Sequence, residues 1–231
     1  SKLVAAAWGG KIHTSSDAGA NWTEHPGAGD RNWLAVASSA DGNKLAALYD
    51  WGGYIFTSSD AGANWTARGV PGSHNWTAIA SSADGNRLVA VAKDSTVFTS
   101  SDAGANWTER ASSGSRKWSA VASSADGNKL VATVEDGTVF TSSDAGVTWT
   151  AQANSGSRKW SAVASSADGN KLVATATGGR IYTSANAGAT WTERAADGLH
   201  NWTAVTISDD GQKLSATAGG GGYIYSSNDG G

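Results

Sequence analysis

Five tryptophans follow a basic or imidazole side chain at one fixed spacing. The pairs are Arg31 and Trp33, His74 and Trp76, Arg116 and Trp118, Arg158 and Trp160, and His200 and Trp202. Asn75 and Asn201 lie between the members of two pairs. An indole face flanked by such donors suits a sugar ring, whose C–H faces stack while its hydroxyls exchange hydrogen bonds. Repetition of a weak site would add avidity for a multivalent glycan. The same five Trp residues fit equally well as core residues between neighbouring elements, and both readings stay open. Trp8 and Trp51 stand beside Gly-Gly turns in only two repeats, and are expected to be exposed.

These residues belong to a repeat that dominates the chain. The paired Trp residues recur at intervals of 43, 42, 42 and 42 residues. The string Ser-Ser-Asp-Ala-Gly-Ala-Asn-Trp-Thr starts at Ser15, Ser58 and Ser100, with variants from Ser142 and Ser184 and a shortened copy from Ser226. A second string, Ser-Ala-Asp-Gly-Asn-Lys-Leu, recurs around Asp41, Asp84, Asp126 and Asp168, and Asp210 marks its fifth version. Each repeat reads as four strands. From Trp118, strand A is Trp118 to Ser123, and strand B runs from Lys129 to Val134 after the Asp126-Gly127 turn. Strand C is Thr138 to Ser142, and strand D follows the Ser143-Asp-Ala-Gly turn from Thr148 to Gln152. Short strands rich in Val, Thr and aromatics, with Asp-Gly turns between them, are an all-β signature. No helical period is present.

Four strands in about 42 residues match one blade of a β-propeller. The expected fold is therefore all-β, with four-stranded antiparallel blades over residues 1–231 as a single domain. Lys2 to Ala7 reads as strand B and Tyr223 to Ser227 as strand C, which makes about 22 strands. Six blades are expected, with five as the alternative. The terminal strands without partners give a route to homo-oligomers.

Ser15-Ser-Asp17-Ala-Gly19-Ala-Asn-Trp22 fits the pattern S-x-D-x-G-x-x-W, as do the copies at Asp60, Asp102 and Asp144; Asn186 replaces the Asp in the fifth. On these residues the chain resembles Asp-box, or BNR-repeat, β-propellers, a group that includes sialidases and many non-enzymatic binding propellers. The resemblance implies a turn between strands C and D, with the Asp accepting backbone N–H bonds and the Gly supplying backbone freedom. It also implies that Trp22, Trp65, Trp107, Trp149 and Trp191 pack between neighbouring blades. Sialidase chemistry would need three converging Arg, a Tyr nucleophile with a Glu partner, and an acidic acid/base. Here most Arg residues occupy equivalent repeat positions and should spread apart. Glu24, Glu109 and Glu193 fall in strand D, and Glu135 in a turn. No catalytic residue, cofactor or metal site is expected.

Composition narrows the partners. The net charge is −3 with signs interspersed, so no basic stripe predicts nucleic acid. No apolar run reaches 18 residues, so no membrane insertion is expected. Cysteine is absent, which removes disulfides and thiolate chemistry. No signal peptide is visible at Ser1 to Leu3, and position 1 is not Met, so the chain reads as processed, trimmed or excised. Asn-Trp-Thr at five places fits the N-glycosylation pattern but reads as a by-product of the repeat.

Turns that are alike in every repeat should be structural, and turns that vary should be free to bind. The A–B and C–D turns are alike. The B–C and D–A connections vary, and strand alternation puts them at the opposite end. The sequence thus predicts a non-enzymatic, lectin-like binding propeller, extracellular or on the cell surface. Its ligand-binding set is Trp8, Arg31, Trp33, Trp51, His74, Asn75, Trp76, Arg116, Trp118, Arg158, Trp160, His200, Asn201 and Trp202. The alternatives are a protein-interaction scaffold, and a designed or recently amplified repeat with no evolved ligand.

Overall fold

The computed structural model describes residues 2–50, 52–194, 198–220 and 223–231. The chain divides into two compact units, Ser1–Ser115 and Arg116–Gly231. The described residues form 21 strands, a few 3-10 turns and no α-helix.

The first unit opens with a three-stranded sheet of β1 (Leu3–Ala6), β2 (Ile12–Ser15) and β3 (Thr23–His25). β4 (Trp33–Ser38), β5 (Leu45–Tyr49), β6 (Gly52–Ser58) and the first part of β7 (Thr66–Ser81) make the next sheet. The last part of β7 starts a third sheet with β8 (Leu88–Lys93), β9 (Val97–Ser100) and β10 (Thr108–Arg110). In the second unit, β11 (Trp118–Ser123), β12 (Leu130–Gly137), β13 (Val139–Ser142) and β14 (Thr150–Gln152) form one antiparallel sheet. β15 (Arg158–Ser165), β16 (Leu172–Gly179), β17 (Ile181–Ser184) and β18 (Thr192–Arg194) form another. β19 (His200–Ile207), β20 (Leu214–Gly219) and β21 (Ile224–Ser227) complete the unit.

Strand count differs from expectation by one because strands D and A of successive repeats fuse into the 16-residue β7. At three other connections a 3-10 turn separates them, Pro26–Ala28, Ala111–Ser113 and Ala153–Ser155, and the connection through residues 195–197 lies outside the described residues. Val70 and Pro71 replace the small residues of those turns, and both favour extended backbone.

In the sheets after the first, strand B supplies the buried centre. Ala46, Leu48, Leu88, Ala90, Val131 and Ala174 are all buried. Alternate side chains serve opposite faces. Leu88 and Ala90 therefore pack on Ala46, Leu48 and Ile55 of the sheet before, leaving Val89 and Val91 for the other face. Strands buried on both faces read as continuous apolar runs, as these do.

Each strand A carries a β-bulge just after its Trp. The register shifts between Trp33 and Ala35, Trp76 and Ala78, Trp118 and Ala120, Trp160 and Ala162, and Trp202 and Ala204. In four of the five bulges the extra residue hydrogen-bonds across the strand pair; in the first it is Leu34. Thr77, Ser119, Ser161 and Thr203 donate their hydroxyls to the carbonyls of Val91, Thr133, Thr175 and Thr217 at 3.1–3.2 Å. A bulge re-aims the neighbouring side chain, and here it turns each indole into the sheet stack.

Candidate functional site

The two turn types that recur unchanged share one hydrogen-bonding scheme. At Ser100, the hydroxyl donates to Asp102 Oδ1 (2.8 Å) and accepts the Gly104 N–H (2.9 Å). Asp102 in turn accepts the Asn106 backbone N–H (2.9 Å) and side-chain amide (2.7 Å). At the A–B turn, Ser82 donates to Asp84, which accepts the backbone and side-chain N–H groups of Asn86. One backbone bond ties the two turns of a sheet together: Ala61 to Asn43, Ala103 to Asn86, Ala145 to Asn128 and Ala187 to Asn170. Lysines then reach to the following sheet, Lys44 to Asn86 Oδ1 (2.6 Å) and Lys129 to Asn170 Oδ1 (2.7 Å).

The carboxylates answer to these donors. The backbone N–H bonds from Asn21 and Asn64 hold Asp17 and Asp60 down to about 2. Hydroxyl donation from Ser39, Ser82 and Ser166, followed by backbone N–H bonds, does the same for Asp41, Asp84 and Asp168. The Ala after each box Asp is left-handed, with φ of 54–63° at Ala18, Ala61, Ala103, Ala145 and Ala187. These Asp residues are committed to backbone, and among the described residues no three His, Asp or Glu side chains gather as metal ligands.

At the other end, the B–C turn of one sheet pairs with the D–A segment that follows it. The partners are Gly10 with Arg31, Gly52 with His74, Gly137 with Arg158 and Gly179 with His200. Trp8 is 62% exposed, on a turn whose next residue, Gly9, lies beside Asn32. Trp51 lies outside the described residues.

The five paired tryptophans are not platforms, which corrects the sugar-stacking role expected for them. Trp33, Trp76, Trp118, Trp160 and Trp202 are each at most 3% exposed. Each meets an aromatic ring of strand C edge-on. Trp33 lies 5.3 Å from Phe56, Trp76 5.4 Å from Phe98, Trp118 5.2 Å from Phe140, Trp160 5.1 Å from Tyr182 and Trp202 5.0 Å from Tyr225. The indole N–H groups of Trp160 and Trp202 donate to the carbonyls of Gly137 and Gly179. Trp33 differs, for its indole nitrogen is buried without an acceptor.

The basic partners cover those rings. Arg31 lies 4.6 Å from the Phe56 centroid, Arg116 4.5 Å from Phe140 and Arg158 4.3 Å from Tyr182. His74 takes the same place over Phe98 at 4.6 Å, and His200 over Tyr225 at 5.1 Å. The expected His/Arg ligand donors are thus first of all stacking lids. Asn75 and Asn201 remain exposed, as do Lys117 and Lys159. The strand C aromatic was the residue sequence reasoning missed. Its signal was present, because the first sheet has neither a paired Trp nor an aromatic at this position, where it carries His13.

The strand D tryptophans Trp65, Trp107 and Trp191 pack against clusters drawn from two successive sheets, as the resemblance implies, but they are not sealed. Trp22 is 46% exposed, and Trp65, Trp107, Trp149 and Trp191 are only half-buried. Two Arg residues expected to lie apart meet at Glu193. Arg180 Nε lies 3.1 Å from Oε1, Arg158 4.0 Å from Oε2, and the Tyr182 hydroxyl donates to Oε2 at 3.0 Å. Burial, then the bond to Glu193, pushes the Tyr182 phenol up, so the hydroxyl keeps its proton and acts as a donor.

No family model matches the chain, and no curated protein does. Solved structures do. The GH74 xyloglucanase from Xanthomonas campestris superposes with a TM-score of 0.75 at 19% identity, over 96% of this chain and 41% of that one. YCF48 from Cyanidioschyzon merolae gives 0.68 at 20% identity, over 96% and 76%. A YCF48 bound to D1 peptide gives 0.71 at 15% identity, over 99% and 74%. The fold is a β-propeller. The propeller strands here span about two fifths of the xyloglucanase chain and about three quarters of the two YCF48 chains.

Proposed function

We infer that this chain is a non-enzymatic binding propeller of Asp-box blades whose ligand is a protein. The ligand surface is the end of the blades that carries the B–C and D–A connections. One observation carries this reading. In the second unit that end exposes Leu199 (66%) and Tyr223 (68%) near the stacked His200–Tyr225 pair, with Asn201 exposed beside them. Exposed aliphatic and aromatic anchors among polar neighbours are the material of protein interfaces. The lids beneath hold the connections rigid, so little ordering cost attends binding. The likeness to a YCF48 bound to D1 peptide supports the same class of ligand. Residues 1–231 as one domain, and six blades in preference to five, belong to the same reading.

The test is affinity capture with the intact chain and with Leu199→Ser/Tyr223→Ser. A partner held by the first and lost by the second supports the proposal. Equal capture by both overturns it.

A glycan reading survives in narrower form. It rests on Trp8 with Asn32 beside its turn, one platform in place of five. Glycan-array binding abolished by Trp8→Ala would favour it over the protein ligand.

A further inference from the structure

Gln152 departs from a rule that strand D keeps in other repeats. Three residues after the strand D Trp, Arg68, Arg110 and Arg194 donate to Thr57, Thr99 and Thr183 of strand C. Gln152 holds that place in β14 and donates its Nε2 to the Thr141 hydroxyl at 2.6 Å. A guanidinium only donates, whereas an amide brings an acceptor as well. The Oε1 of Gln152 and its second N–H have no partner among the described residues.

Gln152 lines a cleft of about 180 Å³ in the second unit, between its own sheet and the one that follows. The volume suits one six-membered ring, since a cavity of roughly 150 Å³ holds benzene. Leu130 of β12 and Leu172 of β16, each at most 5% exposed, give the cleft its apolar wall. Hydroxyls and the amide make up the polar wall. Ser143 and Thr150 line it, are exposed, and make no side-chain hydrogen bond among the described residues. Among the described residues no carboxylate lines the cleft. Its one ammonium, Lys129, is held by the Asp168 carbonyl at 3.1 Å and by Asn170 Oδ1 at 2.7 Å. An ion would therefore find no counter-charge to spare, and a wholly apolar ring would leave the amide and hydroxyls without partners.

We propose that this cleft binds a neutral pyranose ring. The C–H groups of the sugar pack on Leu130 and Leu172. Two adjacent hydroxyls meet the Gln152 amide, one donating to Oε1 and the other accepting from Nε2. Further hydroxyls reach Thr150 and Ser143. A sugar hydroxyl both donates and accepts, which an amide can answer and an arginine cannot. The cleft lies at the end of the Asp-bearing turns, apart from the connections assigned to the protein ligand and from Trp8, and does not depend on either.

Gln152 and Gln212 are the only glutamines, so isotope labelling of glutamine alone gives two side-chain amide signals by NMR. The intact chain is titrated with the methyl β-pyranosides of glucose, galactose and mannose. At least one should move the Gln152 amide saturably, with half-saturation on the order of 1–10 mM, and leave the Gln212 amide in place. Thr150→Val keeps the reporter and should weaken binding about 5-fold. Gln152→Arg installs the side chain that Arg110 supplies in its own sheet, so the thermal midpoint should stay within about 2 °C. The same variant should weaken binding about 10-fold, read by saturation transfer to the sugar. No movement of the Gln152 amide up to about 100 mM of any of the three sugars overturns the proposal. Movement of the Gln212 amide alone also overturns it, since that places the sugar at another turn. Unchanged affinity in a folded Gln152→Arg overturns it too, because the amide would then not read the hydroxyls.

Discussion

At the Asp-bearing turns, the deciding bonds join residues two to four apart, as in Ser100 to Asp102 and Gly104 to Ser100. At the opposite end they join distant segments, as in the Trp160 indole to the Gly137 carbonyl 23 residues away. The first end makes hydrogen bonds from side chain to backbone. The second packs rings edge-on or tilted against rings and sets cations over rings. Local bonds depend on a few residues in a row, so those residues repeat almost letter for letter. Stacks depend on shape and charge, so Arg and His interchange as lids and Phe and Tyr as rings. Variation at the second end therefore reports tolerance in the packing as well as freedom to bind.

Several substitutions would break or sharpen this contrast. Trp118→Ala should have the largest effect, a loss of about 3–5 kcal/mol in urea unfolding, because it empties a site with no exposed surface. A loss under 1 kcal/mol would mean the indole is not sealed. Ser100→Ala should cost about 1–3 kcal/mol, since it strands the Gly104 N–H in a buried turn. A neutral result would move the box from structure to decoration.

Acid should separate the ends next. Turn donors hold the carboxyls of Asp17, Asp41, Asp60, Asp84 and Asp168 down from an ordinary 3.8 to about 2 in the fold, and lower those of Asp102, Asp144 and Asp210 as well. Their contribution is therefore present above pH 4 and is lost as pH falls through about 2. Thermal midpoints should drop over that window. The fifth box, where Asn186 makes the same turn bond to the Thr190 N–H, contributes nothing to the drop, and Asn186→Asp should steepen it. A flat profile from pH 4 to 2 would contradict the turn geometry.

Smaller effects follow. Ala103→Gly should stabilise by about 0.5–1 kcal/mol, because it relieves a Cβ held at φ +56°. Asn75→Ala, on the exposed surface of the variable end, should change stability by less than about 0.5 kcal/mol. A larger loss there would show that the surface residues also hold the fold.

Much of the fold was legible because its signals are local. The Asp126-Gly127 turn, strand A from Trp118 to Ser123 and the Ser-x-Asp-x-Gly turns all sit where the sequence puts them. The burial of the paired Trp residues was not legible. An indole that opens a strand can face either way, and a one-residue bulge after it decides which. The bulge is accompanied at Ser119 by a cross-strand bond to Thr133, but it forms at Leu34 without one, so no local side-chain pattern announces it. The meeting of Arg158 and Arg180 at Glu193 was hidden for a related reason, since it brings together β15, β18 and the residue before β17, which lie far apart in sequence.

The lysine bridge has a consequence for how such a chain changes over generations. Lys44 and Lys129 anchor on a backbone carbonyl and an amide oxygen of the next turn, and Lys171 on the matching carbonyl of Asp210, a group that each A–B turn offers in the same place. A copy therefore does not need to know which copy follows it. Unequal crossing-over that drops or inserts one repeat would leave each seam chemically intact, so the coding sequence can lengthen or shorten in whole steps while its neighbours stay in register.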